Sequence, residues 1–125
     1  WPTEHARRND PVTAKYMNEL NKIVVSRTME KAEWINTRLI KENVKEEIRK
    51  LKEQPGKDLL ILGSSQLAFT LKDFIDEYRF FINPVMLGEG KTVFQGNRQR
   101  MNFELLRVRT FRYGNVLLYY RNAKG

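Results

Sequence analysis

The chain has 125 residues, 41% of them hydrophobic and 30% charged, enough apolar content for one folded domain and too much for a disordered segment. It contains no cysteine and a single histidine, His5, which excludes disulfides, thiolate catalysis and Cys-based zinc sites and leaves a His-based metal site or a Ser/His triad little to stand on. Lys plus Arg outnumber Asp plus Glu by 23 to 15, a net charge of +8 that favours anionic partners. The bases are interleaved with acids across residues 41–57, however, which is the pattern of a solvated surface rather than a nucleic-acid stripe.

In chain order, residues 1–9 lack periodicity and read as a loop or arm. Asp10 and Pro11 then form a helix start, Asp as cap and Pro at the first helical position, and the helix ends by Asn21. Residues 22–28 read as a short β-branched strand whose end carries Ser26, Arg27 and Thr28. Two hydroxyls and a guanidinium beyond a strand's carboxyl end suit a phosphate as well as they suit an ordinary polar loop. Residues 34–40 read as a second short strand. Asn43 to Glu46 has the form of a capping box, opening a helix with Val44, Ile48 and Leu51 inward that Pro55 and Gly56 stop.

The central feature is the stretch from Asp58 to Leu71. Leu59, Leu60, Ile61 and Leu62 run without polar alternation, as in a strand covered on both faces, and Gly63, Ser64 and Ser65 turn the chain into a helix bearing Leu67, Ala68 and Leu71. A helix start at the end of such a strand offers unpaired N–H groups to a phosphate, although the same glycine and serines also serve capping alone. Further on, residues 78–82 read as a strand with Tyr78, Phe80 and Ile82 on one face. Gly88 and Gly90 mark a tight loop, residues 97–102 a polar connection. Residues 103–112 form a strand with a bulge at Leu105 and Leu106, paired as an antiparallel hairpin with residues 116–121. No apolar run reaches the length of a membrane span, and the first five residues have nothing of a signal peptide, so a cytoplasmic protein is expected.

Taken in order, Val25-Ser26-Arg27-Thr28, Trp34-Ile35-Asn36-Thr37, Leu62-Gly63-Ser64-Ser65-Gln66-Leu67, Ile75-Asp76-Glu77-Tyr78-Arg79, Asn83 to Lys91 and Arg109-Thr110-Phe111 resemble the dihydrofolate-reductase-like superfamily. The resemblance is to the family named for the C-terminal reductase domain of the bacterial riboflavin-biosynthesis protein RibD, in its stand-alone form, and spans residues 10–120. It implies an α/β fold, a three-layer α/β/α mixed sheet with a C-terminal antiparallel hairpin, in one domain over residues 1–125. It also implies an NADPH-dependent reductase acting on a pteridine-like, pyrimidine or related heterocyclic small molecule, with a homodimer as its assembly. Gly63, Ser64, Ser65, Gln66 and Leu67 would hold the pyrophosphate, and Ser26, Arg27 and Thr28 would face the adenosine and its 2′-phosphate.

The family's Met-Ser-Leu-Asp-Gly-like strand and Gly-Arg-x-Thr-like turn do not occur in these residues, so the domain is expected to be incomplete on its N-terminal side. No proton donor is identified. Glu89, beside two glycines, reads as a solvated loop residue, and no metal is expected. A non-catalytic binding or assembly module of the same fold is the alternative. A basic nucleic-acid-binding domain is the weaker reading, because Tyr78, Phe80, Tyr119 and Tyr120 alternate as core strand residues, so neither nucleic acid nor membrane is an expected partner.

Overall fold

The computed structural model describes residues 1–93 and 99–123, and the chain divides into two compact units, residues 1–57 and 58–125.

The first unit opens with two helices, α1 (Glu4–Asn9) and α2 (Pro11–Glu19). The expected loop at the start is therefore helical. Thr3 caps it through a side chain that accepts from Ala6 N at 3.2 Å, and Glu4 pairs with Arg8 one turn on at 2.9 Å. Capping by one residue ahead of a six-residue segment leaves no apolar period to detect, and periodicity is what the sequence reading relied upon. Asp10 acts as foreseen: its Oδ1 accepts from Thr13 N at 3.0 Å and Pro11 stands at the first helical position.

Strand β1 (Lys22–Val25) runs parallel to β2 (Thr37–Ile40), with Val24 opposite Leu39 and Val25 opposite Ile40. The strand expected over residues 22–28 thus ends at Val25, although Ser26 N still donates to Ile40 O at 3.1 Å. Helix α3 (Val44–Glu53) follows. Its start differs from the expected capping box, since Asn43 adopts the left-handed conformation with φ 54° and makes no side-chain cap bond. Asn tolerates that region better than most residues, so here it supplies a backbone turn in place of an acceptor. Glu46 pairs with Arg49, and Glu47 ties the helix to Arg38 on β2.

In the second unit, residues 59–62 form no ladder with any described residue, and Leu59, Leu60 and Leu62 are exposed. The expected central strand is therefore an irregular segment that pairs with no described residue. An apolar run specifies burial, but a strand exists only where a neighbour supplies N–H and C=O groups alongside. Helix α4 (Ser65–Thr70) follows the turn, then a 3₁₀ turn (Lys72–Phe74), where a single helix was expected.

The remaining strands β3 (Tyr78–Ile82), β4 (Phe103–Thr110) and β5 (Val116–Asn122) form an antiparallel sheet in the order β3-β5-β4. The hairpin and the irregularity between Leu105 and Arg107 stand where alternation placed them. One face carries Tyr78, Phe80, Phe103 and Tyr120, with ring centroids 5.0 Å apart for Tyr78 and Phe103 and 6.0 Å for Phe80 and Tyr120. The other face centres on buried Tyr119, over which the Arg107 guanidinium lies 3.9 Å from the ring centroid. The connection expected over residues 97–102 lies in part outside the described residues.

Candidate functional site

The residues expected to hold a phosphorylated cofactor fall in two groups, one in each unit. In the second unit, Gly63 takes φ 76°, a conformation that glycine reaches without the Cβ penalty, and among the described residues, its two chain neighbours aside, no atom lies within 4 Å of where a Cβ would stand. This turn places Ser64 at the cap of α4, where its Oγ accepts from Leu67 N at 3.2 Å and its carbonyl from Ala68 N at 2.9 Å. Ser65 and Gln66 follow in the first helical turn, both exposed, and their N–H groups have no backbone acceptor within so short a helix. Ser64 is thus the cap, Leu67 supplies the N–H that it engages, and Ser65 and Gln66 are the positions whose backbone donors face outward.

In the first unit, Ser26, Arg27 and Thr28 follow directly on β1. The Ser26 hydroxyl accepts from Met29 N at 3.1 Å, closing a turn that fixes the strand end. Its oxygen is therefore partly committed to the backbone. Arg27 and Thr28 are exposed, and the Arg27 guanidinium has no carboxylate partner among the described residues. A free guanidinium beyond a strand end can meet a phosphate through two parallel N–H donors.

At the opposite end of β1 stands a polar node that sequence periodicity gave no means of finding. Asn18 Nδ2 donates to Ala14 O at 2.7 Å and Trp1 O at 3.0 Å, while its Oδ1 accepts from Trp34 Nε1 at 2.9 Å. Lys22 Nζ reaches the Asn18 carbonyl at 3.2 Å and lies 4.7 Å from the Trp34 ring centroid. The node therefore pins the start of β1 to α2, and only tertiary contact reveals it. A shallow groove of about 350 Å³ in this unit, lined by Arg7, Pro11, Ala14, Lys15, Asn18 and Glu19, includes none of the expected cofactor residues.

Among the described residues no group of three or more His, Asp or Glu side chains is placed to hold a metal ion, and no helix is long and apolar enough to cross a membrane. Glu89 is exposed in the loop between Gly88 and Gly90, and Gly88 adopts φ 75°.

Comparison with known proteins gives these two groups a context. The uncharacterized protein YyaP of Bacillus subtilis (strain 168) is 36% identical over 126 residues, covering 96% of this chain and 66% of YyaP, so the chain spans about two thirds of that relative. The crystal structure of a protein assigned to riboflavin biosynthesis from Shewanella sp. PV-4 superposes with a TM-score of 0.71 at 19% identity, over 94% of this chain and 71% of that one. This likeness shows the fold, a mixed α/β arrangement with parallel and antiparallel sheets of the dihydrofolate-reductase-like type. The RibD C-terminal domain family matches residues 1–117, which takes in both groups of candidate residues, and the chain belongs to that family.

Proposed function

We propose that this chain forms the cofactor-binding part of a cytoplasmic NADPH-dependent reductase acting on a pteridine-like, pyrimidine or related heterocyclic small molecule. Membership of the RibD C-terminal domain family over residues 1–117 is the observation that carries this reading. The residues present suit the group. The Gly63 turn leaves open space at the glycine and exposed donors at Ser65 and Gln66, and Arg27 keeps its guanidinium free of carboxylates among the described residues.

NADPH, when bound, supplies the hydride for reduction. The work of this chain is then binding and orientation. Ser64 holds the first turn of α4, whose Ser65 and Gln66 N–H groups would be the donors to a pyrophosphate. The Ser26 turn fixes the strand end, where Arg27 and Thr28 would be the residues to hold a 2′-phosphate. Among the residues described, none is assigned as proton donor.

Replacing Arg27 by Ala tests this assignment. Charge-assisted hydrogen bonds contribute about 1.5–3 kcal/mol, so NADPH affinity should fall roughly 10- to 100-fold while NADH affinity stays within about twofold. Equal losses for both cofactors would refute the 2′-phosphate role. Failure of the unaltered protein to bind either cofactor would favour the alternative, a non-catalytic binding or assembly module of the same fold. A small molecule rather than nucleic acid is the proposed partner, and tight oligonucleotide binding that falls steeply with salt would count against it.

A further inference from the structure

The antiparallel sheet of the second unit carries its positive charge unevenly. By register, Arg79 on β3, Tyr119 and Arg121 on β5, and Glu104, Arg107 and Arg109 on β4 share one face. Two of these four arginines are neutralised. Arg79 Nε donates to Glu77 Oε1 at 2.6 Å, and Arg121 donates to both carboxylate oxygens of Glu104 at 2.8 and 2.9 Å. Arg107 and Arg109 meet no carboxylate among the described residues. Each lies instead over an aromatic ring, Arg107 at 3.9 Å from the Tyr119 centroid and Arg109 at 4.7 Å from that of Phe111. A guanidinium held over a ring keeps the N–H donors in its own plane available to a carboxylate.

Both uncompensated arginines stand on β4, and the order β3-β5-β4 leaves the outer side of that strand without a neighbour among the described residues. At eight residues it is a long edge, and an unpaired edge accepts another strand through its outward N–H and C=O groups. The side chains along it decide which strand. Val108 and Leu105 belong by register to the opposite face and are 48% and 51% exposed, so the edge reads basic, apolar, basic over residues 107–109. Another β4 would bring arginine beside arginine, and like charges opposed across strands are destabilising.

We propose that an extended acidic segment of a partner protein adds to the β4 edge as a fourth strand, with carboxylates at alternate positions beside Arg107 and Arg109 and an apolar residue between them beside Val108. Alternate residues of a strand stand about 7 Å apart on one face, so one segment reaches both arginines without leaving the sheet. Backbone pairing supplies the affinity and the alternating side chains the selectivity. Nucleic acid fits less well, because the Tyr119 and Phe111 rings on which bases would stack already carry guanidinium groups. None of the residues assigned to the cofactor lies on this sheet, so the two activities separate.

The test is an NMR titration of the isotope-labelled full chain with the peptide acetyl-Glu-Val-Glu-Val-Glu-amide. Saturable shifts should concentrate in β4, over Phe103–Thr110, and weaken as salt rises. Arg107→Gln and Arg109→Gln should each weaken binding roughly two- to fivefold, whereas Arg27→Ala should leave it unchanged. A Gln-Val-Gln-Val-Gln peptide should bind less tightly, and so should the acidic peptide N-methylated at every residue, which keeps its charge and loses its backbone donors. Shifts absent from β4, or equal affinity for the Gln peptide, would overturn the proposal. Equal binding of the N-methylated peptide would overturn strand addition, and tighter binding of an oligothymidylate to the same amides would overturn the choice of a polypeptide. The peptide replacements report on the unaltered protein even where an arginine variant fails to fold.

Discussion

Replacing Gly63 by Ala isolates a purely conformational contribution at the candidate site. Beyond its two chain neighbours, no atom of the described residues lies within 4 Å of the position its Cβ would take, so the new methyl meets none of them, while φ 76° remains unfavourable for an L-residue. A left-handed residue costs roughly 1–2 kcal/mol, and the reduced freedom of the unfolded chain returns about 0.4–1 kcal/mol. The net loss should be about 1 kcal/mol. With a urea m-value of about 1–3 kcal/mol/M, the midpoint falls by roughly 0.3–1 M with m unchanged. Gly63→Asn should lose less than half as much, because Asn occupies this region more readily. NADPH titration should follow the same order, since the turn aims the Ser65 and Gln66 N–H groups. An Ala variant as stable as the wild type, or one that loses more than about 3 kcal/mol, would refute the reasoning, the latter by revealing a steric collision that the open space around Gly63 excludes.

Two further outcomes concern pH. The hydrogen bonds from Thr13 hold the Asp10 carboxyl below its ordinary value of about 3.9, so the cap's contribution to α2 is present above that value and is lost as pH falls through the depressed one. Asp10→Asn, which retains an acceptor, should flatten the acid limb of a helicity titration, and an unchanged limb would dismiss the cap. Burial raises Tyr78 above its ordinary value near 10, so its stabilising neutral form persists below pH 10 and is lost as pH rises through the raised value. Tyr78→Phe should flatten the alkaline limb of urea stability. At neutral pH it should cost about 0.5–1.5 kcal/mol through the lost bond to the Lys72 carbonyl, and an equally steep alkaline limb would show that another group titrates there.

Local chemistry was legible wherever a few neighbouring residues decide the outcome. Asp10 with Pro11 announced α2, alternation located the β4–β5 hairpin, and the doubled Leu105-Leu106 announced its irregularity. The Gly63-Ser64-Ser65 turn also followed from its residues, because φ above zero and an N-cap bond are properties of three or four positions. The order of such motifs along the chain was enough to identify the family. Asn43 shows where local reading ends, since the same side chain can cap a helix or turn the backbone, and its surroundings chose the turn. The Asn18 node joins residues 16 to 17 positions apart, and Arg107 reaches the Tyr119 ring across a strand pair, so neither leaves a local trace. Residues 59–62 draw the boundary most plainly: four successive apolar side chains are written in the sequence, but whether they become a strand depends on hydrogen-bond partners that only tertiary structure can bring alongside.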